Sequence, residues 1–139
     1  MDCVFCRIIE GDAPSREVYR DDGVVAFLDA HPLTAGHTLV VPTTHHERLE
    51  DLSRVGAGAL FEAVHELLEP VQAAAGADGA TVAVNDGPAA GQEVPHVHAH
   101  IVPRTAGDGG GPIHEAIGGR PELGDEQLDA IAAAIRDRR

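Results

Sequence analysis

Apolar and polar positions along the chain fall into short blocks whose period changes several times, and each change marks an element. Val4, Phe5, Ile8 and Ile9 recur at near-helical spacing and stop at Gly11, which predicts a short helix over Cys3 to Glu10 with a glycine C-cap. Pro14 opens a connector. Two short strands follow, Glu17 to Arg20 and Val24 to Leu28, joined by Asp21-Asp22-Gly23, a strong hairpin turn. His31 to Gly36 is a loop by its Pro and Gly, and His37 to Val41 is a β-branched strand stopped by Pro42.

From about Ser53 to Ala75 the apolar residues Leu60, Val64, Leu67, Leu68 and Val71 follow helical spacing and predict the main helix. Pro70 interrupts that pattern and should kink the helix or end it near Glu69. Gly76 to Gly79 breaks the chain before a strand from Thr81 to Asn85, which turns at Asp86-Gly87 and returns through the apolar run around Val94 to Val102. Thr105 to Pro112 is a Gly-rich loop. Asp125 is a plausible N-cap for a last helix with a Leu128, Ile131, Ile135 stripe and a basic end of Arg136, Arg138 and Arg139. Hairpin-connected strands with a helix against them give α+β architecture with a mostly antiparallel sheet. No repeat or second set of elements appears, so one domain over residues 1–139 is expected, with its core at about 3–104.

The returning strand carries the chemistry. His96, His98 and His100 alternate with Val97, Ala99 and Ile101, so a strand would place the three imidazoles on one face and the apolar residues on the other. That is the pattern of a sheet with a buried back and a reactive front. Neutral imidazole suits metal binding, proton transfer and nucleophilic attack alike.

Composition narrows the partners. With no Trp, one Tyr and three Phe, the core must rest on Val, Leu, Ile and Ala. The formal charge of −13 argues against a nucleic-acid or anionic-membrane surface. A small phosphorylated ligand stays compatible, because backbone N–H groups and imidazoles can hold it. No stretch reaches the length of a membrane span and the N-terminal residues lack a signal-peptide charge pattern, so a cytoplasmic protein is expected. Cys3 and Cys6 are the only cysteines, and in that compartment a Cys-x-x-Cys pair suggests metal or redox chemistry.

On spacing alone, Cys3 and Cys6 are either half of a zinc set or half-buried helix thiols; the other half would come from His45 or His46 together with His96. Between Asn85 and Gly91 a turn-rich segment offers backbone N–H groups to a phosphate. His98, flanked on its own face by the other two, is the central candidate nucleophile. His31, His37, His65 and His114 stand alone in sequence and are read as structural or solvated, with His37 packed beside the sheet and His65 on the helix.

His96-Val97-His98-Ala99-His100-Ile101-Val102 resembles the signature of the histidine triad (HIT) family of nucleotide-binding hydrolases and transferases. Cys-x-x-Cys, Phe27-Leu28-Asp29, Gly36-His37 to Pro42, His45 and the Asn85 to Gln92 loop fall in family order, so the resemblance reaches about Arg104. It implies a HIT-like fold, a mostly antiparallel sheet of about five strands with a main helix, a short N-terminal helix and a C-terminal helix. It implies that His98 attacks the α-phosphorus to form a transient nucleotidyl-histidine, that His100 attends the phosphate or leaving group, and that the His96 backbone orients His98. Asn85, Gly91, Gln92 and Glu93 would line the phosphate together with His98 and His100. Val4, Phe5, Ile8, Phe27 and Leu28 would hold the base, and Asp29 the ribose. The resemblance to members with the same N-terminal motif also implies a structural zinc on Cys3, Cys6, His45 and His96, with His46 the rival to His45.

The substrate so implied is a purine nucleoside monophosphate bearing a phosphoramidate or polyphosphate leaving group, and the assembly a homodimer through the main helix and neighbouring strand. Rival functions are a dinucleoside polyphosphate hydrolase, which Asp86-Gly87-Pro88 also resembles, and a zinc-stapled regulatory dimer with incidental catalysis. Two departures stand out. Glu93 occupies a place where many relatives carry Ser or Thr, and Pro95 removes a strand N–H just before His96.

Overall fold

A computed structural model of the chain describes residues 3–139; residues 1 and 2, which the single-domain expectation includes, lie outside the described residues. The elements run α1 (Val4–Glu10), β1 (Glu17–Arg20), β2 (Val24–Leu28), β3 (Thr38–Pro42), α2 (Arg54–Ala75), β4 (Gly79–Ala83), β5 (Ala99–Arg104) and α3 (Asp125–Asp137). The five strands form one antiparallel sheet in the order β1-β2-β3-β5-β4, the α+β arrangement expected from the hydrophobic pattern.

Strand alternation splits the core between the two faces of this sheet. Val24, Ala26, Val40, Ala99 and Ile101 point to the side covered by α2, where Leu60, Val64, Leu67 and Val71 meet them. Val25, Phe27, Leu39 and Val41 point to the other side, where α1 and its flanks cover them through Cys3 and Phe5, joined by Val94 from the segment before β5. That second side is thinly covered near β5, and His98 and His100 emerge there. α1 ends as its sequence predicts: Gly11 adopts φ 83°, in the left-handed region, and its N–H meets the Arg7 and Ile8 carbonyls.

Several boundaries differ from expectation. α2 does not stop near Glu69 but passes through Pro70 to Ala75, capped by Ser53, whose hydroxyl accepts from the Gly56 N–H at 3.0 Å. Pro70 and Glu66, whose carbonyl loses its partner to the ring, are both exposed. Buried Leu67 and Val71 clamp the helix on either side, so water can satisfy the freed carbonyl while packing holds the axis. β4 starts two residues earlier than its apolar run suggests, pairing Gly79 with Arg104. Asp125 is the first helical residue of α3 and Gly124 the cap. β5 begins at Ala99, so His96 and His98 precede it, His96 in a bend where its N–H meets the Val94 carbonyl at 2.8 Å. The ladder to β3 ends at Val40 with Ala99, beyond which Pro42 has no N–H to give and Val97 N–H is engaged by the His46 carbonyl at 2.8 Å.

Candidate active site and metal centre

The exposed side of β5 opens into a cavity of about 960 Å³. Val4, Phe5 and Ile8 of α1 face Phe27 and Leu28 of β2 across its apolar end, Asp29 follows, and His98, His100, Asn85, Gly91 and Glu93 complete the other end. Phe5 is the hinge between the two ends: its ring meets Phe27 edge-on at 5.5 Å and His98 edge-on at 5.0 Å. Of the residues expected to bind nucleotide, Gln92 alone does not line the cavity. Its amide instead ties the loop together, accepting from Gly87 N–H at 2.8 Å and donating to the Glu47 and Val94 carbonyls at 2.6 and 2.9 Å.

Hydrogen bonds fix the tautomer of each imidazole. His98 Nδ1 lies 2.8 Å from the His96 carbonyl; a carbonyl can only accept, so Nδ1 carries the proton and the Nε2 lone pair is free. His100 is held by a residue read from sequence as structural. The Leu33 N–H donates to His37 Nδ1 at 3.1 Å, which leaves the proton of His37 on Nε2, and that N–H points to His100 Nδ1 at 2.9 Å. His100 Nε2 therefore carries a proton, and it is buried without a hydrogen-bond partner, a donor waiting for an acceptor. Burial, with His98 and His37 adding to it, pushes His100 down to about 4 against the weaker pull of Asp29. Burial likewise lowers His37, opposed by Asp29. Asp29 Oδ1 accepts the His31 N–H at 2.9 Å, and Oδ2 lies 3.7 Å from His37 Nε2.

His31 sits at the cavity wall, His65 on the solvent side of α2 and His114 on the exposed segment after β5. The role of His37 was missed because its partner lies 63 positions away. The signal that could have found it is parity: residues 37, 39 and 41 share a face, and pairing Leu39 with His100 makes His37 a diagonal neighbour of His100.

Behind the cavity, Cys3, Cys6, His45 and His96 bring two sulfurs and two ring nitrogens within 4.8 Å of one another. His45 Nδ1 is 3.3 Å and His96 Nδ1 3.6 Å from Cys6 Sγ, and His96 Nδ1 is 3.5 Å from Cys3 Sγ. His96 Nε2 donates to the Pro42 carbonyl at 2.9 Å, which frees Nδ1 as a ligand atom and supplies the orienting outer contact typical of metal-bound histidine. Burial, then Cys3, pushes the Cys6 thiol up to about 11; a divalent cation would reverse this by displacing the protons. Two thiolates and two imidazoles are the donor set of a closed structural zinc site. His46 contributes its backbone rather than its ring. Asp29, His37 and His100 also lie close enough to hold an ion, but the His37 Nε2–H is directed to His100 Nδ1, so these two form a hydrogen-bonded pair with the Asp29 carboxylate beside it.

The profile of the HIT domain matches residues 10–107. The chain belongs to the HIT family, a superfamily of nucleotide-binding hydrolases and transferases. A crystal structure of a HIT family member from Bacillus subtilis matches this HIT protein with a TM-score of 0.86 at 35% identity, covering 100% of this chain and 98% of that one. A zinc-bound histidine triad family protein from Mycobacterium smegmatis matches with a TM-score of 0.74 at 35% identity, covering 100% and 99%. The Arabidopsis thaliana protein named adenylylsulfatase HINT3 is 39% identical over 107 residues, 77% of this chain and 54% of its own. No helix among the described residues is long and apolar enough to cross a membrane.

Proposed function

We propose that this HIT protein is a hydrolase or transferase acting at the α-phosphate of nucleoside phosphoramidates or related nucleotidyl substrates, through a covalent nucleotidyl-histidine on His98. The observation that carries the proposal is the fixed pair of tautomers: a His98 Nε2 lone pair beside a buried, unpartnered His100 Nε2–H. One is a nucleophile and the other a donor to the phosphate oxygens or the departing group. The base would lie between Val4, Phe5, Ile8, Phe27 and Leu28, the ribose hydroxyls on Asp29, and the phosphate near Asn85, Gly91 and the Glu93 backbone.

For a phosphoramidate, the nitrogen takes one proton from solvent and the P–N bond breaks with its electron pair going to that nitrogen, while phosphorus bonds to His98 Nε2. Water then adds to phosphorus, the nucleoside monophosphate departs, the His98 lone pair is restored and one proton returns to solvent. Similarity to an Arabidopsis protein named as an adenylylsulfatase supports reaction at an adenylyl group.

Zinc on Cys3, Cys6, His45 and His96 would be structural, since four protein ligands leave no open position. Similarity to the zinc-bound Mycobacterium smegmatis protein supports that choice of metal. A single domain, a cytoplasmic location and a homodimer complete the proposal. Exposed Val55 and Phe61 on α2 and Val82 on the edge strand β4 favour the dimer surface expected there.

Quenching the protein with adenosine 5′-phosphoramidate during turnover should leave an adenylyl group on the peptide containing His98, detected by mass spectrometry. His98→Ala should abolish both adduct and turnover. Turnover that survives His98→Ala would overturn the mechanism.

A further inference from the structure

Among the described residues the cavity wall carries two carboxylates, Asp29 and Glu93, and one guanidinium, Arg16. Arg16 is the one Lys or Arg among these wall residues, and its backbone carbonyl accepts the Leu28 N–H at 3.0 Å. His98 and His100 lie on this wall. The imidazole of His100 is neutral there at pH 7, as burial dictates. Glu93 lines the same cavity as His98 and His100. It is exposed, and its carboxylate makes no ion pair among the described residues.

An unneutralised carboxylate on the wall of the cavity in which a leaving group departs discriminates by charge. A group bringing a cation is attracted and one bringing further negative charge is repelled, in a chain already carrying −13. We infer that Glu93 is a specificity-determining residue that selects leaving groups carrying an ammonium beyond the scissile bond and disfavours those carrying carboxylate, phosphate or sulfate. This rests on the proposed reaction at the α-phosphate and specifies its substrate class: amides formed between a nucleotide and a diamine or a basic amino acid. The bond changes are those already given, with the distal ammonium unaltered throughout.

The test uses two phosphoramidates that share nucleoside, scissile bond and linker length, one ending in a primary amine and the other in a carboxylate. The wild-type protein should prefer the amine-terminated substrate by roughly tenfold or more in kcat/KM, the size expected for unit charges a few ångströms apart near a protein surface. Raising the salt toward 1 M should shrink that preference. Glu93→Gln should bring the ratio close to one. Because the ratio is taken on one protein sample, a uniform loss of activity or of folded fraction leaves it unmoved, and Glu93→Ala should give the same result. Equal wild-type rates on the two substrates, or a preference that persists in both variants, overturns the role of Glu93 and leaves the reaction standing. Hydrolysis of neither substrate, with no adduct on His98, overturns the reaction itself.

Discussion

Three imidazoles that look alike in sequence do different work because each has a different partner on its far nitrogen. The Pro42 carbonyl turns His96 Nδ1 toward the thiols, the His96 carbonyl turns His98 Nε2 toward the cavity, and His37 sets the proton of His100. His37 thus acts through His100 as a positioning residue. Replacing it with Phe removes the donor to His100 Nδ1 and lets the His100 proton move to that side, away from the substrate. We expect His37→Phe to lower kcat by about tenfold to a hundredfold with KM nearly unchanged, and His37→Gln, which keeps a donor, to recover part of the loss. The pH profile adds a check with a defined sign. A depressed value of about 4 for His100 leaves it neutral above roughly pH 5, so in the wild type His100 should not contribute an acid limb between pH 5 and 8. A wild-type profile whose acid limb moves in His100→Gln would contradict this assignment.

At the scale of elements, most of the fold was legible because most elements are decided locally. The β1-β2 hairpin lies where Asp21-Asp22-Gly23 puts it, and α1 stops at its glycine. What was not legible depended on contacts between distant segments. Pro70 breaks the local rule for α2, and only the sheet beneath Leu67 and Val71 overrides it. The start of β5 depends on where β3 runs out of donors, and His37 meets His100 only through the β3-β5 register. Gln92 illustrates the same limit within the site. Its neighbours line the cavity, yet its amide joins the loop to the segment before α2, where Leu49 N–H also meets Asp86 Oδ1 at 2.8 Å. Gly87, at φ 91° and ψ 160°, holds a backbone conformation reserved for glycine, and a Cβ there would meet the Arg48 guanidinium. Gln92→Leu should therefore loosen the loop rather than delete a ligand contact. The expected result is a loss of about 1–3 kcal/mol in urea unfolding and faster amide exchange at Gly87, together with a several-fold weaker Kd for a nucleoside monophosphate. Unchanged exchange at Gly87 would count against the clamp.

For the whole molecule, the question is what holds the thinly covered side of the sheet. α2 spans 22 residues and buries five of them, whereas α1 has seven residues and buries Phe5 alone. A helix that short has no stability of its own, yet it supplies one wall of the cavity. The proposed zinc would join three separate pieces of chain: Cys3 and Cys6 at the start of α1, His45 beyond β3, and His96 before β5. Metal would thereby fix α1 to the strand that carries the nucleophile. Removing it with a strong chelator should release about one zinc per chain and lower Tm by roughly 10 °C, corresponding to about 3 kcal/mol for a domain of this size. Nucleotide binding should fall with it, because Val4, Phe5 and Ile8 leave the cavity together with α1. Cys6→Ser and His45→Ala should reproduce both losses without chelator, while His46→Ala should leave zinc content and Tm unchanged, since the His46 ring is not among the donors. Adding zinc back to the chelated wild type should restore Tm and binding in parallel, and recovery of Tm without recovery of binding would separate the metal from the shape of the site.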